Sequence, residues 1–102
     1  MDKEEALTIA NKYLEAIGSR YVVIQAILFG SFARDTFHQD SDIDIALVMR
    51  NIPDVIDTQI ELMKLRRDID LRIEPHPFRE NDFEPSNPMV NEILKYGIPL
   101  PT

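Results

Sequence analysis

Two short apolar runs constrain this chain more than anything else in it. Val22-Val23-Ile24-Gln25-Ala26-Ile27-Leu28-Phe29 is rich in β-branched residues and stops at Gly30. Its length and composition favour a strand buried on both faces. Asp42-Ile43-Asp44-Ile45-Ala46-Leu47-Val48-Met49 opens with alternating polar and apolar residues, which predicts a second strand.

The flanking segments supply the covering layers. Between Lys3 and Ile17, the residues Ala6, Leu7, Ala10, Tyr13, Leu14 and Ile17 repeat at helical spacing, and Gly18 stops the helix by accepting left-handed dihedrals. Ser31 to Arg34 reads as the first turn of a short helix, and Asp35 to Ser41 as a polar loop. Pro53 and Asp54 open a helix to about Arg67, with Val55, Ile56, Ile60, Met63 and Leu62 as its buried stripe. A third strand is predicted over Ile69 to Glu74, with Asp70, Arg72 and Glu74 on one face, ended by Pro75-His76-Pro77 because proline cannot donate to a ladder. A short turn near Glu80 to Phe83 precedes a last helix, Pro88 to Tyr96, which turns Val90, Ile93 and Leu94 inward and stops at Gly97. The expected fold class is α/β or α+β, with helices packed on a small mixed sheet in one domain spanning residues 1–102.

Composition narrows the partners. The formal charge is −7, from 18 acidic and 11 basic side chains. That balance argues against non-specific nucleic-acid binding and against docking on an anionic membrane. A local patch of Lys64, Arg66 and Arg67 could still meet a phosphate. The absence of cysteine excludes disulfides and zinc–thiolate sites. The first twenty residues do not read as a signal peptide, and no apolar run approaches a membrane span, so a cytoplasmic protein is expected.

The chemistry concentrates between the first two strands. Gly30 permits a sharp turn and a close approach of phosphate to the main chain, and Ser31 with the following amides would form an anion site. Alone, a Gly-Ser dipeptide after a strand is an ordinary turn. Asp42 and Asp44, two residues apart on a strand, project from one face, and like charges so close call for a cation between them. Magnesium suits carboxylate oxygens shared with substrate phosphates, whereas a solvated strand end is the plain alternative. Ten residues, Phe32 to Ser41, separate the two motifs.

Gly30-Ser31, that ten-residue gap, Ser41 and Asp42-x-Asp44 together resemble the signature of the DNA polymerase β-like nucleotidyltransferase superfamily. Gly30 to Val48 is similar to its minimal nucleotidyltransferases, often the antitoxin halves of HEPN/MNT toxin–antitoxin pairs. The resemblance implies transfer of a nucleoside monophosphate from a triphosphate, AMP from ATP, to a hydroxyl, assisted by two Mg2+ or Mn2+ ions. It implies Asp42 and Asp44 as metal ligands, with Gly30 and Ser31 gripping the triphosphate. Arg34, one turn from Ser31, either lies near the triphosphate or is a surface arginine. A third carboxylate is implied on the next core strand: Asp70 is the first choice and Glu74 the second, with an ion pair to Arg72 or a solvated strand face as the alternative for either. Phe32, Phe37 and Phe78 suit core packing or loop anchoring better than base contact, and neither His38 nor His76 is given a role. With no second lobe, the acceptor is expected to be a protein partner, a helical HEPN ribonuclease in the resembling pairs. The alternative from another class is a non-catalytic module that binds nucleotide and neutralises its partner by contact.

Overall fold

The computed structural model describes all 102 residues. Three helices, α1 (Lys3–Ile17), α2 (Val55–Leu65) and α3 (Pro88–Tyr96), pack on four strands, β1 (Val22–Phe29), β2 (Ile43–Arg50), β3 (Ile73–Arg79) and β4 (Ile98–Leu100). The sheet order is β3-β2-β1-β4. β1 runs antiparallel to β2 and β4, and β2 runs parallel to β3, so the sheet is mixed.

Strand alternation assigns each residue to a layer. On one face, Leu28, Ile43, Ile45, Leu47 and Ile73 form the main core with Ala6, Ala10, Tyr13 and Ile17 of α1 and Leu62 of α2. The opposite face buries Ile27, Phe29 and Ala46 against Ile93 of α3, with Phe78 and Phe83 alongside. The Tyr13 hydroxyl donates to the Leu62 carbonyl at 2.7 Å and ties α1 to α2. Burial pushes its pKa up, so the phenol keeps its proton and remains a donor.

Several expectations are corrected. Ser31 to Arg34 is a single turn, closed by Arg34 N–H to Gly30 O at 3.1 Å, and no helix follows. Gly18 has φ −63°, within the right-handed region, so left-handed freedom is not why α1 ends there. Gly97 likewise has φ −67°; a Cβ there would overlap the Ile27 methyl, so close approach of the turn to β1 is what requires glycine.

The third strand begins at Ile73, four residues later than expected, and passes through both prolines. β3 is an edge strand, and its residues alternate between facing β2 and facing the open edge. The Ile73 and Pro75 carbonyls point to that edge, where Arg66 and Gln59 donate to them. Pro75 and Pro77 share this parity, so their missing N–H groups interrupt no ladder bond.

On α2, Thr58 and Leu62 are buried, but Ile56 and Ile60 of the expected stripe are 71% and 50% exposed. The helix turns 55, 58, 62 and 65 toward the sheet and leaves a second apolar stripe outside. Leu94 of α3 is also exposed.

Candidate active site

The end of β1 and the start of β2 meet in register, with Phe29 opposite Asp44. On the other side of Asp44, β3 places Glu74. Residues paired across parallel strands share a face, so the two carboxylates project together on the α3 side of the sheet. Asp42 stands exposed just ahead of β2, at the mouth of the same edge.

Gly30 is fitted to this arrangement. Its φ is +75°, a conformation costly for residues with a Cβ. A Cβ there would also overlap Oδ2 of Asp44. The chain therefore passes directly over the carboxylate. In the turn beyond, the Ser31, Phe32 and Ala33 amides donate to no protein acceptor. Three adjacent unpartnered N–H groups beside a half-buried carboxylate would suit an anion delivered together with a cation.

The loop back to β2 is held from within. Ser41 is buried, and its hydroxyl accepts the His38 N–H at 2.8 Å, fixing the chain just before Asp42. Phe32 is fully buried and stacks on Phe37 with centroids 4.8 Å apart, so both anchor the loop.

Asp70 is not on the third strand. It lies in the turn between the 3-10 segment Arg66–Asp68 and β3, where its carboxylate takes three bonds from Arg72: the main-chain N–H at 2.8 Å, Nε at 2.9 Å and Nη2 at 2.7 Å. These bonds hold its pKa below the usual carboxylate value despite partial burial. A depressed folded pKa means stability that is present above the unfolded carboxylate range and is lost as pH falls through the folded value. Asp70→Asn is therefore expected to cost about 0.5–1 kcal/mol at neutral pH, since Arg72 is partly solvated, and progressively less as pH falls below the usual carboxylate range toward the depressed folded value. Urea melts of both proteins from neutral pH into acid check this; a penalty that does not shrink as pH falls would contradict the ionic account.

Glu74 is held differently. One oxygen lies 3.3 Å from Nη1 of Arg66, which also donates to the Ile73 carbonyl at 2.7 Å. Arg34 is clamped against α3, with Nη1 2.7 Å from Glu92 and the guanidinium 4.8 Å from the Tyr96 ring centroid.

Sequence reasoning missed His76. It sits on β3 two residues beyond Glu74 on the same face, its Nε2 is 3.1 Å from Oδ1 of Asp44, and its ring meets Phe29 edge-on at 5.0 Å. The signal was the two-residue spacing of Pro75 and Pro77, which fits an edge strand and puts Glu74, His76 and Phe78 in one row.

The oxygen donors of Asp42, Asp44 and Glu74 are the hard type that magnesium prefers. As placed, no three acidic or histidine side chains are close enough together to enclose an ion.

A family model described as nucleotidyltransferase domain matches residues 10–99, and the chain belongs to that family. Its fold is that of known members. A presumptive nucleotidyltransferase from Sulfolobus solfataricus superposes with a TM-score of 0.69 at 20% identity, over 95% of this chain and 80% of that one. A toxin–antitoxin complex with AMP-PNP superposes at 0.63 with 23% identity, over 91% and 70% of the two chains. A mutant of the MntA–HpeT toxin–antitoxin gives 0.63 at 24% identity, over 89% and 70%. No curated protein matches the chain in sequence.

Proposed function

We propose that residues 1–102 act as one cytoplasmic catalytic unit that transfers AMP from ATP to a hydroxyl on a protein partner, as the antitoxin to a helical HEPN ribonuclease. The observation that supports this reading most is the register of β1, β2 and β3. It sets Asp44 beside Glu74 on one face and directly under Gly30, next to three unpartnered amides. The toxin–antitoxin complexes among the structural relatives, one of them holding AMP-PNP, favour a protein acceptor and an adenine nucleotide.

In this reading the Ser31, Phe32 and Ala33 amides and the Ser31 hydroxyl grip the β- and γ-phosphates, so the α-phosphorus faces the carboxylate row. Asp42, Asp44 and Glu74 would hold two divalent ions, once their side chains drew closer together than they stand here. Such ions would neutralise the triphosphate and lower the pKa of the attacking hydroxyl. The acceptor oxygen bonds to the α-phosphorus, the α–β bridge breaks and pyrophosphate leaves, while the hydroxyl proton passes to a carboxylate or to solvent. Glu74 replaces Asp70 as the third carboxylate, because Asp70 lies off the strand and is committed to Arg72. His76 orients Asp44. Arg34 would reach the phosphates only by leaving Glu92.

A second reading, a module that neutralises its partner by contact, is favoured by the engagement of Asp44 with His76 and of Glu74 with Arg66. Producing the chain with its partner, with and without Asp42→Asn and Asp44→Asn together, separates the two. The enzymatic reading expects a partner heavier by one nucleoside monophosphate, and neither modification nor neutralisation with the doubly substituted chain. Full neutralisation by an unmodifying variant would establish the contact reading instead.

A further inference from the structure

Away from the carboxylate row, the outer side of α2 carries apolar surface that nothing in the fold covers. Ile56 and Ile60 stand one helical turn apart, and Leu71, in the turn before β3, is 65% exposed. Ile60, Met63 and Leu71 line a groove of about 260 Å³ whose other walls are Lys64, Arg66 and Arg67. Scattered exposed leucines are ordinary; a stripe continuous with a groove marks a contact surface.

The charge around the groove says what it would contact. In a chain of net charge −7, only Lys12, Lys64, Arg67 and Lys95 among the Lys and Arg side chains lack a carboxylate within salt-bridge reach. Two of those four rim this one groove. Unpaired cations beside an apolar stripe complement a surface that is itself apolar and flanked by acids.

The groove also adjoins the candidate active site. Arg66, one of its walls, bonds Glu74, and Leu71 is followed by Arg72, whose carbonyl accepts the Ile43 N–H between the two aspartates at 2.8 Å.

We propose that this groove docks an acidic amphipathic helix of the acceptor protein, bringing the acceptor hydroxyl beside the carboxylate row. The site it serves is the one read above as a nucleotidyltransferase centre, but the docking itself needs neither nucleotide nor metal.

The test uses the full chain and synthetic helical peptides of about 18 residues, long enough to hold a helix. One carries a leucine stripe flanked by glutamate, one the same stripe flanked by lysine, and one a scrambled acidic sequence. Methyl NMR reads where each binds. The acidic amphipathic peptide is expected to shift Ile60, Met63 and Leu71 and to bind at least about tenfold more tightly than the other two. Ile60→Asp with Leu71→Asp should weaken it about tenfold without lowering Tm, because both residues are exposed, and Lys64→Glu with Arg67→Glu should do the same. Equal binding by the scrambled peptide, or shifts elsewhere, would overturn the proposal. So would a dimer in sedimentation that Leu71→Asp disperses, which would assign the groove to a second copy. Preferential binding of an RNA oligonucleotide at Lys64 and Arg67 would also overturn it. Titrating Mg-ATP into the same sample and following Gly30 to Ala33 tests the nucleotide site separately, so either idea can fail alone.

Discussion

Asp44→Asn is expected to reduce nucleotidyl transfer about a thousandfold, the scale seen when one preorganised charge-stabilising group is removed. Asp44 is the central member of the carboxylate row: Phe29 is opposite it on β1, Glu74 opposite it on β3, and His76 bonded to it. Its side chain is 26% exposed, and an amide can keep the His76 bond, so Tm should move by only a few degrees. Loss of rate without loss of fold is the signature to look for. Glu74→Gln should follow it, with a loss of about a hundredfold, because it removes one charge from the same face. Asp70→Asn should stay within about threefold of the parent, since its carboxylate serves Arg72 at the surface. Rates of labelled-nucleotide transfer, measured beside thermal melts, decide between them. Inactivity of Asp70→Asn with Glu74→Gln unimpaired would reverse the assignment of the third carboxylate.

Gly30→Ala should damage both fold and site. The left-handed φ of +75° costs an alanine about 1–2 kcal/mol. The added methyl must also displace Oδ2 of Asp44, which His76 holds from the other oxygen. Together these should lower stability by about 2–3 kcal/mol, a fall of about 8–20 °C in Tm for a domain of this size. Transfer should stay severely impaired even at temperatures where the variant is folded, because the carboxylate has moved. A variant with parental Tm and rate would show that neither the backbone conformation nor the close approach at Gly30 matters.

Much of the scaffold was readable because local pattern and tertiary context agree there. α1, β1 and α3 begin and end where periodicity and turn residues predict, and helices cover both faces of a mixed sheet. Reading failed where tertiary context decided. Proline looks like the end of a strand unless the strand is known to lie at an edge, so local pattern ends the third strand before Pro75 and leaves His76 outside it. Ile56 and Ile60 look like core because periodicity reports an apolar stripe, not what covers it. β4 is three residues with a central proline, legible only from its pairing with β1. For the site, the juxtaposition of Gly30 and Asp44 followed from motif spacing, but which carboxylate stands beside Asp44, Glu74 rather than Asp70, depended on the β2–β3 register, which no local pattern reveals.

The most direct test of the central claim is to incubate the chain, its partner and magnesium with ATP labelled either at the α-phosphate or at the γ-phosphate. Nucleotidyl transfer predicts that the α-label becomes bound to a partner hydroxyl while the γ-label leaves as pyrophosphate, and that Asp44→Asn slows both events about a thousandfold. Label retained from the γ-position, or a neutralised partner carrying no label at all, would contradict the account.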